Sequence, residues 1–476
     1  MNGLVFPQKN KPLLSSKILD FGRMNMSLID KPSELLELIS KSLKPKIIEK
    51  TLFGEVFTPM PIVNEMLDKL PIEVWTNKNL KWLDPASGMG NFPIGIYLRL
   101  IDSLKNEIPD DKERKKHILE NMIYMCELNN SNVLKCKDIF DINNEYKLNL
   151  YQGDTLLFEP LNTFKINQFD IILGNPPFNN GSINNCKKRD IGEKHMTIWT
   201  KFIEVSFKWL KINGYLAYIT PLPWLEKTHM SHIALLEKYI MWLKIWDGSE
   251  SKKQINAGIS ISIYVLQNSL NIEKKKTDII SKIGDNLTVS NIYLDKNDTI
   301  PLGLHSIFNK LKKFIECNKL KLEYFSKVIK SIEPKIKIPF NFTYEDMLAV
   351  HTYTIKDGIM VKKMIKPHQY TRKRKIIIAN KSSFKGTFID DGKLELTGHN
   401  KFYIFGDNLE LILKLTTFKL FTIICDYCKY HMDFLNKESF EYIPDIRKLG
   451  IKDITEEEFY KLIGLDKNEI NLIDNI

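Results

Sequence analysis

Long apolar runs are missing from this sequence. The most apolar late stretch, Leu409 to Cys428, is interrupted by Glu410, Lys414 and Lys419, so no segment is built to cross a bilayer. The first residues, Met1 to Lys17, carry Lys9, Lys11 and two prolines but no apolar block followed by a small-residue cleavage site. That pattern does not read as a secretory signal and predicts a protein kept inside the cell. Cysteine is sparse as well. Six in 476 residues, without regular spacing, exclude a disulfide scaffold and suit a reducing compartment. Cys425 and Cys428 form one C-x-x-C with only His431 nearby, which falls short of a zinc ligand set, so an inert buried pair is expected and no metal is required. There is no internal repeat and no low-complexity tract.

Against these absences stand an ordinary 43% hydrophobic content, enough for two domains, and a formal charge of +11. Such a surplus of Lys and Arg favours association with a polyanion, although basic proteins without that role are common. From Lys81 to Gln267 short apolar runs alternate with helical patterns, which predicts an α/β domain with a mostly parallel sheet. Strands are expected at Lys81–Leu83, Met122–Glu127, Leu148–Gln152, Phe169–Leu173, Tyr215–Ile219, Leu243–Trp246 and Ile259–Leu266. Helices are expected over Phe92–Leu104 and Trp199–Leu210. The alternation of Ile259-Ser260-Ile261-Ser262-Ile263 suggests a half-covered strand at the sheet edge. Beyond Asn268 a Lys-rich connector, Lys274 to Lys276, leads into mixed segments, so the chain is divided into an arm or cap over 1–50, an α/β domain over 51–270 and a mixed α+β part over 271–476. The arm holds one amphipathic helix candidate, Ser33 to Leu43, with Leu35, Leu36, Ile39 and Leu43 on one face.

Two loops carry chemistry. Asp84-Pro85-Ala86-Ser87-Gly88-Met89-Gly90-Asn91-Phe92 takes a strand through a glycine-bearing turn into a helix. Gly88 and Gly90 let the backbone approach a ligand, and the helix N-terminus offers unpaired N–H groups to a carboxylate. Neither the dinucleotide pattern G-x-G-x-x-G nor a phosphate-binding G-K-[ST] is met. Glu127 and Asp154 end the next two strands, where one carboxylate can accept ribose hydroxyls and the other an adenine amine; each could instead simply cap the following turn. The second loop is Asn175-Pro176-Pro177-Phe178, directly after the apolar strand Phe169–Leu173. Two prolines make it stiff and unsuited to strand pairing, though an ordinary turn would also explain them. The Asn175 side-chain oxygen and the Pro176 carbonyl are two acceptors for the hydrogens of a planar aromatic amine. Accepting both would favour a tetrahedral nitrogen with a localised lone pair, ready to attack an electrophilic methyl group. Phe178 offers a face on which a base could stack.

Taken in order, these motifs resemble the gamma-type adenine-N6 DNA methyltransferases of restriction–modification systems. The resemblance covers Thr51 to Gln267 and includes D-P-x-x-G-x-G-x-F at Asp84 to Phe92 and N-P-P-F at Asn175 to Phe178. It also includes G-x-x-[YF]-T-P at Gly54 to Pro59, followed by Ile62, Val63 and Met66 at helical spacing. Trp199 to Glu204, Leu210 to Tyr215 and Pro221 to Leu225 look like later motifs. The resemblance implies a Rossmann-like, S-adenosylmethionine-dependent domain with a seven-stranded sheet and a C-terminal target-recognition domain. It implies that Phe57, Thr58, Pro59, Asp84, Pro85, Ala86, Gly88, Gly90, Phe92, Glu127, Asp154 and Asn175 line the cofactor. It further implies double-stranded DNA as partner, with a separate restriction endonuclease as a second one. The insert between Asn179 and His195, with Lys187, Lys188 and Arg189, departs from the pattern; it could order on DNA or be a solvated loop. Arg372, Lys373 and Arg374, in the basic run Tyr370 to Lys375, are candidate phosphate contacts or a solvated face. Rival readings of the tetrapeptide are a protein-glutamine or an RNA guanine-N2 methyltransferase, or a catalytically idle DNA-specificity subunit. No nuclease is expected on the chain: the segment before the cap is too short, and no second Asp/Glu–Lys set stands in a sheet context beyond Val361 to Lys385.

Overall fold

The computed structural model describes residues 27–31, 34–35, 58–179, 198–269, 275–326, 336–337, 348–354, 358–363, 372–379, 383–394, 401–430 and 435–476. Its centre is a nine-stranded sheet. In chain order the strands are β1 (Trp82–Asp84), β2 (Ile123–Glu127), β3 (Asn149–Gln152), β4 (Phe169–Gly174), β5 (Leu210–Pro221), β6 (Tyr239–Trp246), β7 (Ile261–Gln267), β8 (Thr277–Ile283) and β9 (Asn286–Ile292). Their spatial order is β3-β2-β1-β4-β5-β7-β6-β8-β9. β3, β2, β1, β4 and β5 are all parallel, β7 runs antiparallel between β5 and β6, and β6 pairs in parallel with β8. All seven expected strands are therefore present. Because the chain builds outward from β1 to β3 and then returns to place β4 on the other side of β1, the strand order reverses between β1 and β4. Ligands of open α/β sheets bind at the carboxyl ends of the strands at such a point.

Alternating residues of the strands feed two cores. Leu83, Tyr124, Ile172, Tyr218 and Tyr264 lie on one face, and Trp82, Ile123, Ile171, Leu173, Ala217, Ile219, Ile263 and Val265 on the other. This is the period-2 partition expected of a sheet covered on both sides. The helix Asn91–Ser103 covers the second face, with Ile94, Ile96, Tyr97 and Leu100 buried. The helix Ile198–Trp209 covers the first, through Trp199, Phe202, Ile203 and Trp209. Both helices fall within a residue of their expected limits.

Two expectations change. β7 is not an edge strand, since Ile261 to Leu266 are all buried between β5 and β6. Its alternating serine is polar for an internal reason: Ser262 accepts a hydrogen bond from Trp224 Nε1 at 2.7 Å and lies 3.1 Å from Thr220 Oγ1. The sheet also extends past seven strands, because the hairpin β8–β9, from beyond residue 270, adds to the β6 side.

The remaining chain is mixed α+β. β13 (Lys375–Ala379) lies between β14 (Thr387–Asp390) and β15 (Lys401–Ile404) in one antiparallel sheet, after β10 (Ile336–Lys337), β11 (Leu348–Thr354) and β12 (Gly358–Lys363) in another. The helices His305–Cys317, Leu409–Thr417 and Lys419–Tyr427 pack here. Their Ile307, Phe308, Leu411 and Phe421 belong to the same continuous apolar cluster as Leu83 and Tyr264. Cys425 and Cys428 are buried free thiols, and burial pushes both well above the ordinary thiol range. No helix among the described residues is long and apolar enough to cross a membrane. The arm helix expected over Ser33–Leu43 lies, apart from residues 34–35, outside the described residues, as does His431.

Candidate active site at the carboxyl edge of the sheet

The strand ends converge as the sequence predicts. Asp84 closes β1 and is 1% exposed, with Oδ1 accepting from the Ala86 N–H at 3.0 Å. Its Oδ2 is buried without a hydrogen-bond partner among the described residues. Burial, reinforced by the charge of Glu127 and opposed by the Ala86 N–H, raises the Asp84 carboxyl to about 8. The turn beyond it is pinned to β2: the Ser87 N–H donates to the Cys126 carbonyl at 3.0 Å, and the Gly88 N–H donates to Glu127 Oε2 at 2.7 Å. Gly88 has φ +53° with open space where a Cβ would stand, and Gly90, at φ +90°, begins the helix Asn91–Ser103. A left-handed turn of this kind leaves backbone free to meet a ligand. Pro85 passes its carbonyl to Thr155 Oγ1 at 2.7 Å, which ties the turn to the end of β3.

The two other expected acids differ from each other. Glu127 is buried and accepts from the Gly88 and Asn129 N–H groups, both at 2.7 Å, so it shapes the glycine turn as well as facing the carboxyl edge. Asp154 is exposed and caps the short turn Thr155–Leu157, accepting from the Leu156 N–H at 2.9 Å. Capping, the ordinary role of such an acid, is thus what its visible bond performs.

Across the strand reversal, β4 ends in Gly174 and delivers Asn175-Pro176-Pro177-Phe178 beside the glycine turn. A Cβ on Gly174 would stand 2.7 Å from Asp84 Oδ1, which shows how closely the two loops approach. Asn175 Nδ2 donates to Thr58 Oγ1 at 3.1 Å, and Asn91 Nδ2 donates to the Thr58 carbonyl at 2.7 Å. Thr58 and Pro59 lead into the helix Met60–Leu67, whose Ile62, Val63 and Met66 are buried. Sequence positions far apart therefore meet: Thr58, Asp84 to Phe92, Glu127 and Asn175. Phe178 is 7% exposed and packs in the apolar cluster with Met60 and Leu173. Asn91, Thr155 and Gly174 were not singled out from sequence, and the signal available for Gly174 was only its place before the tetrapeptide. Phe57 and Gly54 lie outside the described residues, as do Lys187, Lys188 and Arg189.

The basic run near β13 is not uniform. Arg372 and Lys373 are exposed, but Arg374 is ion-paired with Asp391 at 2.9 Å and with Glu410. Lys375 is fully buried on Asp390 at 2.5 Å. Exposed cations in this run therefore reduce to Arg372 and Lys373, among the described residues.

The buried, unpartnered Asp84 oxygen, the open glycine turn and the helix N-terminus fit a cofactor with an amino-acid end, and the sheet is of the kind found in S-adenosylmethionine-dependent methyltransferases. Within that class, residues 93–246 match the family model described as Eco57I restriction-modification methylase, so this span is a methylase segment of that kind. A curated relative, an uncharacterized adenine-specific methylase of Mycoplasma pneumoniae, is 44% identical over 82 residues. That match covers 17% of this chain and 19% of the relative. Among solved structures, the type IIL restriction-modification enzyme MmeI in complex with DNA is similar over 93% of this chain and 80% of its own, with TM-score 0.50 and 10% identity. The ATP-dependent type ISP restriction-modification enzyme LlaBIII bound to DNA is similar over 79% of this chain and 35% of its own, with TM-score 0.47 and 13% identity.

Proposed function

We propose that this protein transfers a methyl group from S-adenosylmethionine to the N6 amine of adenine in double-stranded DNA, at a specific sequence. The observation that carries the proposal is the placement of Asn175 at the carboxyl end of β4, across the strand reversal from the Asp84–Phe92 turn and joined to it through Thr58. The cofactor, when bound, supplies an electrophilic sulfonium methyl. Asp84, Gly88, Gly90 and the N-terminus of the helix Asn91–Ser103 would hold its amino-acid end, and Glu127 and Asp154 its nucleoside end. Asn175 Oδ1 and the Pro176 carbonyl accept the two hydrogens of the substrate amine and so localise its lone pair. The stiffness of the two prolines keeps those acceptors aimed, which costs no reorganisation during the reaction. The target base has to leave the duplex to reach this edge of the sheet, and Phe178 is the ring assigned to receive it.

The mixed α+β part, 271–476, is assigned to target recognition, with Arg372 and Lys373 as phosphate contacts. The domain limits 1–50, 51–270 and 271–476 describe a functional division, although the two halves share one sheet and one apolar cluster. Working on cellular DNA places the protein inside the cell, alongside a separate restriction endonuclease. Adenine in DNA is favoured over glutamine or RNA guanine by the Eco57I-type segment and by the adenine-specific relative. Incubation with tritiated S-adenosylmethionine and unmethylated DNA, RNA or release factor tests the choice. Label in DNA is expected, and label only in RNA or only in protein rejects it.

A further inference from the structure

We propose that Thr58 is a positioning residue that sets which end of the Asn175 carboxamide faces the substrate amine. The inference rests on the reading of Asn175 as acceptor for that amine. Thr58 is 4% exposed and precedes Pro59, whose ring restricts it to extended backbone geometry. Its two oxygens hold two different loops: the carbonyl accepts from Asn91 Nδ2 at 2.7 Å and the hydroxyl from Asn175 Nδ2 at 3.1 Å, across 117 positions of chain. Asn91 is itself 5% exposed and is the first residue of the helix behind the glycine turn. Thr58 is thus fixed from the cofactor side and in turn fixes the catalytic loop.

The chemistry requires such a hold. A carboxamide presents an acceptor at one end and a donor at the other, and its terminal torsion is broad and nearly two-fold. With Nδ2 committed to Thr58, Oδ1 lies on the opposite side of the amide plane and is the end left for an amine hydrogen. Rotation by half a turn would offer N–H to N–H, which opposes the pyramidal nitrogen needed for attack. The hydroxyl therefore contributes to the rate through orientation of another side chain.

Thr58→Val keeps the shape and the carbonyl bond to Asn91 but removes the hydroxyl; Thr58→Ser restores it. In the full chain, kcat for methylation of duplex DNA is expected to fall on the order of 10- to 100-fold in Thr58→Val, as for misplacement of a catalytic group. The dissociation constant for S-adenosylhomocysteine is expected to stay within about twofold, because the loss is confined to the reacting complex. Thr58→Ser should recover most of the rate. A readout independent of turnover is the Asn175 side-chain NH2 signal in asparagine-labelled protein, identified by its loss in Asn175→Ala. It should shift in Thr58→Val and return in Thr58→Ser. Unchanged kcat in Thr58→Val, a loss of cofactor affinity as large as the loss of rate, or failure of serine to rescue each overturns the proposal. If wild-type protein methylates no DNA, the functional reading fails on its own. The NH2 signal then still decides the Thr58 contact, and an unshifted signal rejects it.

Discussion

Gly174 has no space for a side chain, because Asp84 Oδ1 would lie 2.7 Å from its Cβ and Pro85 Cδ 3.6 Å. Gly174→Ala is expected to destabilise the fold by about 1–3 kcal/mol, as overpacking does, with a lower urea midpoint. An unchanged midpoint would show that the strand end moves freely. Asp84 makes a second prediction. Its carboxyl is raised from 3.8 to about 8, first by burial and then by the charge of Glu127, so the folded state keeps a proton that the unfolded chain releases. The stability tied to that proton is complete below about pH 4 and is lost as pH rises through about 8. Urea unfolding of wild type and Asp84→Asn between about pH 5 and about pH 9 reads it: wild type should lose stability relative to the variant as pH rises. Parallel curves would mean that Asp84 is ionised throughout.

At the scale of elements, the pair Lys375–Asp390 joins β13 to β14 with both side chains inside the fold, 0% and 3% exposed. Asp390 also accepts from the Leu394 N–H at 3.1 Å, and Lys375 donates to the Leu394 carbonyl at 2.5 Å. Lys375→Met leaves a buried carboxylate unpaired and should cost about 3–5 kcal/mol; adding Asp390→Asn should recover most of it, since no charge then remains buried. A small loss, or no recovery in the double variant, would contradict this account. Nothing in the run Arg372-Lys373-Arg374-Lys375 marks its last member as internal, because a charge pattern along one segment does not reveal an acid fifteen positions away. The parallel strands were legible for the opposite reason. Buried on both faces, β2 and β4 read as continuous apolar runs, and the tight turns at Asp84–Gly90 and Asn175–Phe178 carried glycine and proline where backbone geometry demanded them. β7 misled because Ser262 satisfies Trp224 and Thr220 inside the sheet, which an alternating pattern cannot distinguish from solvent. β9, with Leu287 and Val289 exposed and polar residues between them, gave no comparable signal.

The whole molecule joins a methyltransferase-type sheet to a mixed α+β region through one sheet and one apolar cluster, so the candidate site and the proposed recognition region share a rigid connection. The site itself was legible from sequence as a set of motifs, whereas the links between them, Thr58 to Asn91 and Asn175 and Thr155 to Pro85, required the fold. A net charge of +11 suits a duplex partner but says nothing about which bases are read. The central claim, site-specific adenine methylation by the Asn175 loop, is tested most directly by base-resolution sequencing of modified DNA from cells expressing either wild-type protein or Asn175→Ala. Wild type should place N6-methyladenine at one recurrent sequence, and the variant, with turnover reduced by about 10²–10³-fold, should leave that sequence largely unmodified. Absence of methyladenine with wild type, or equal methylation by Asn175→Ala, would contradict the account.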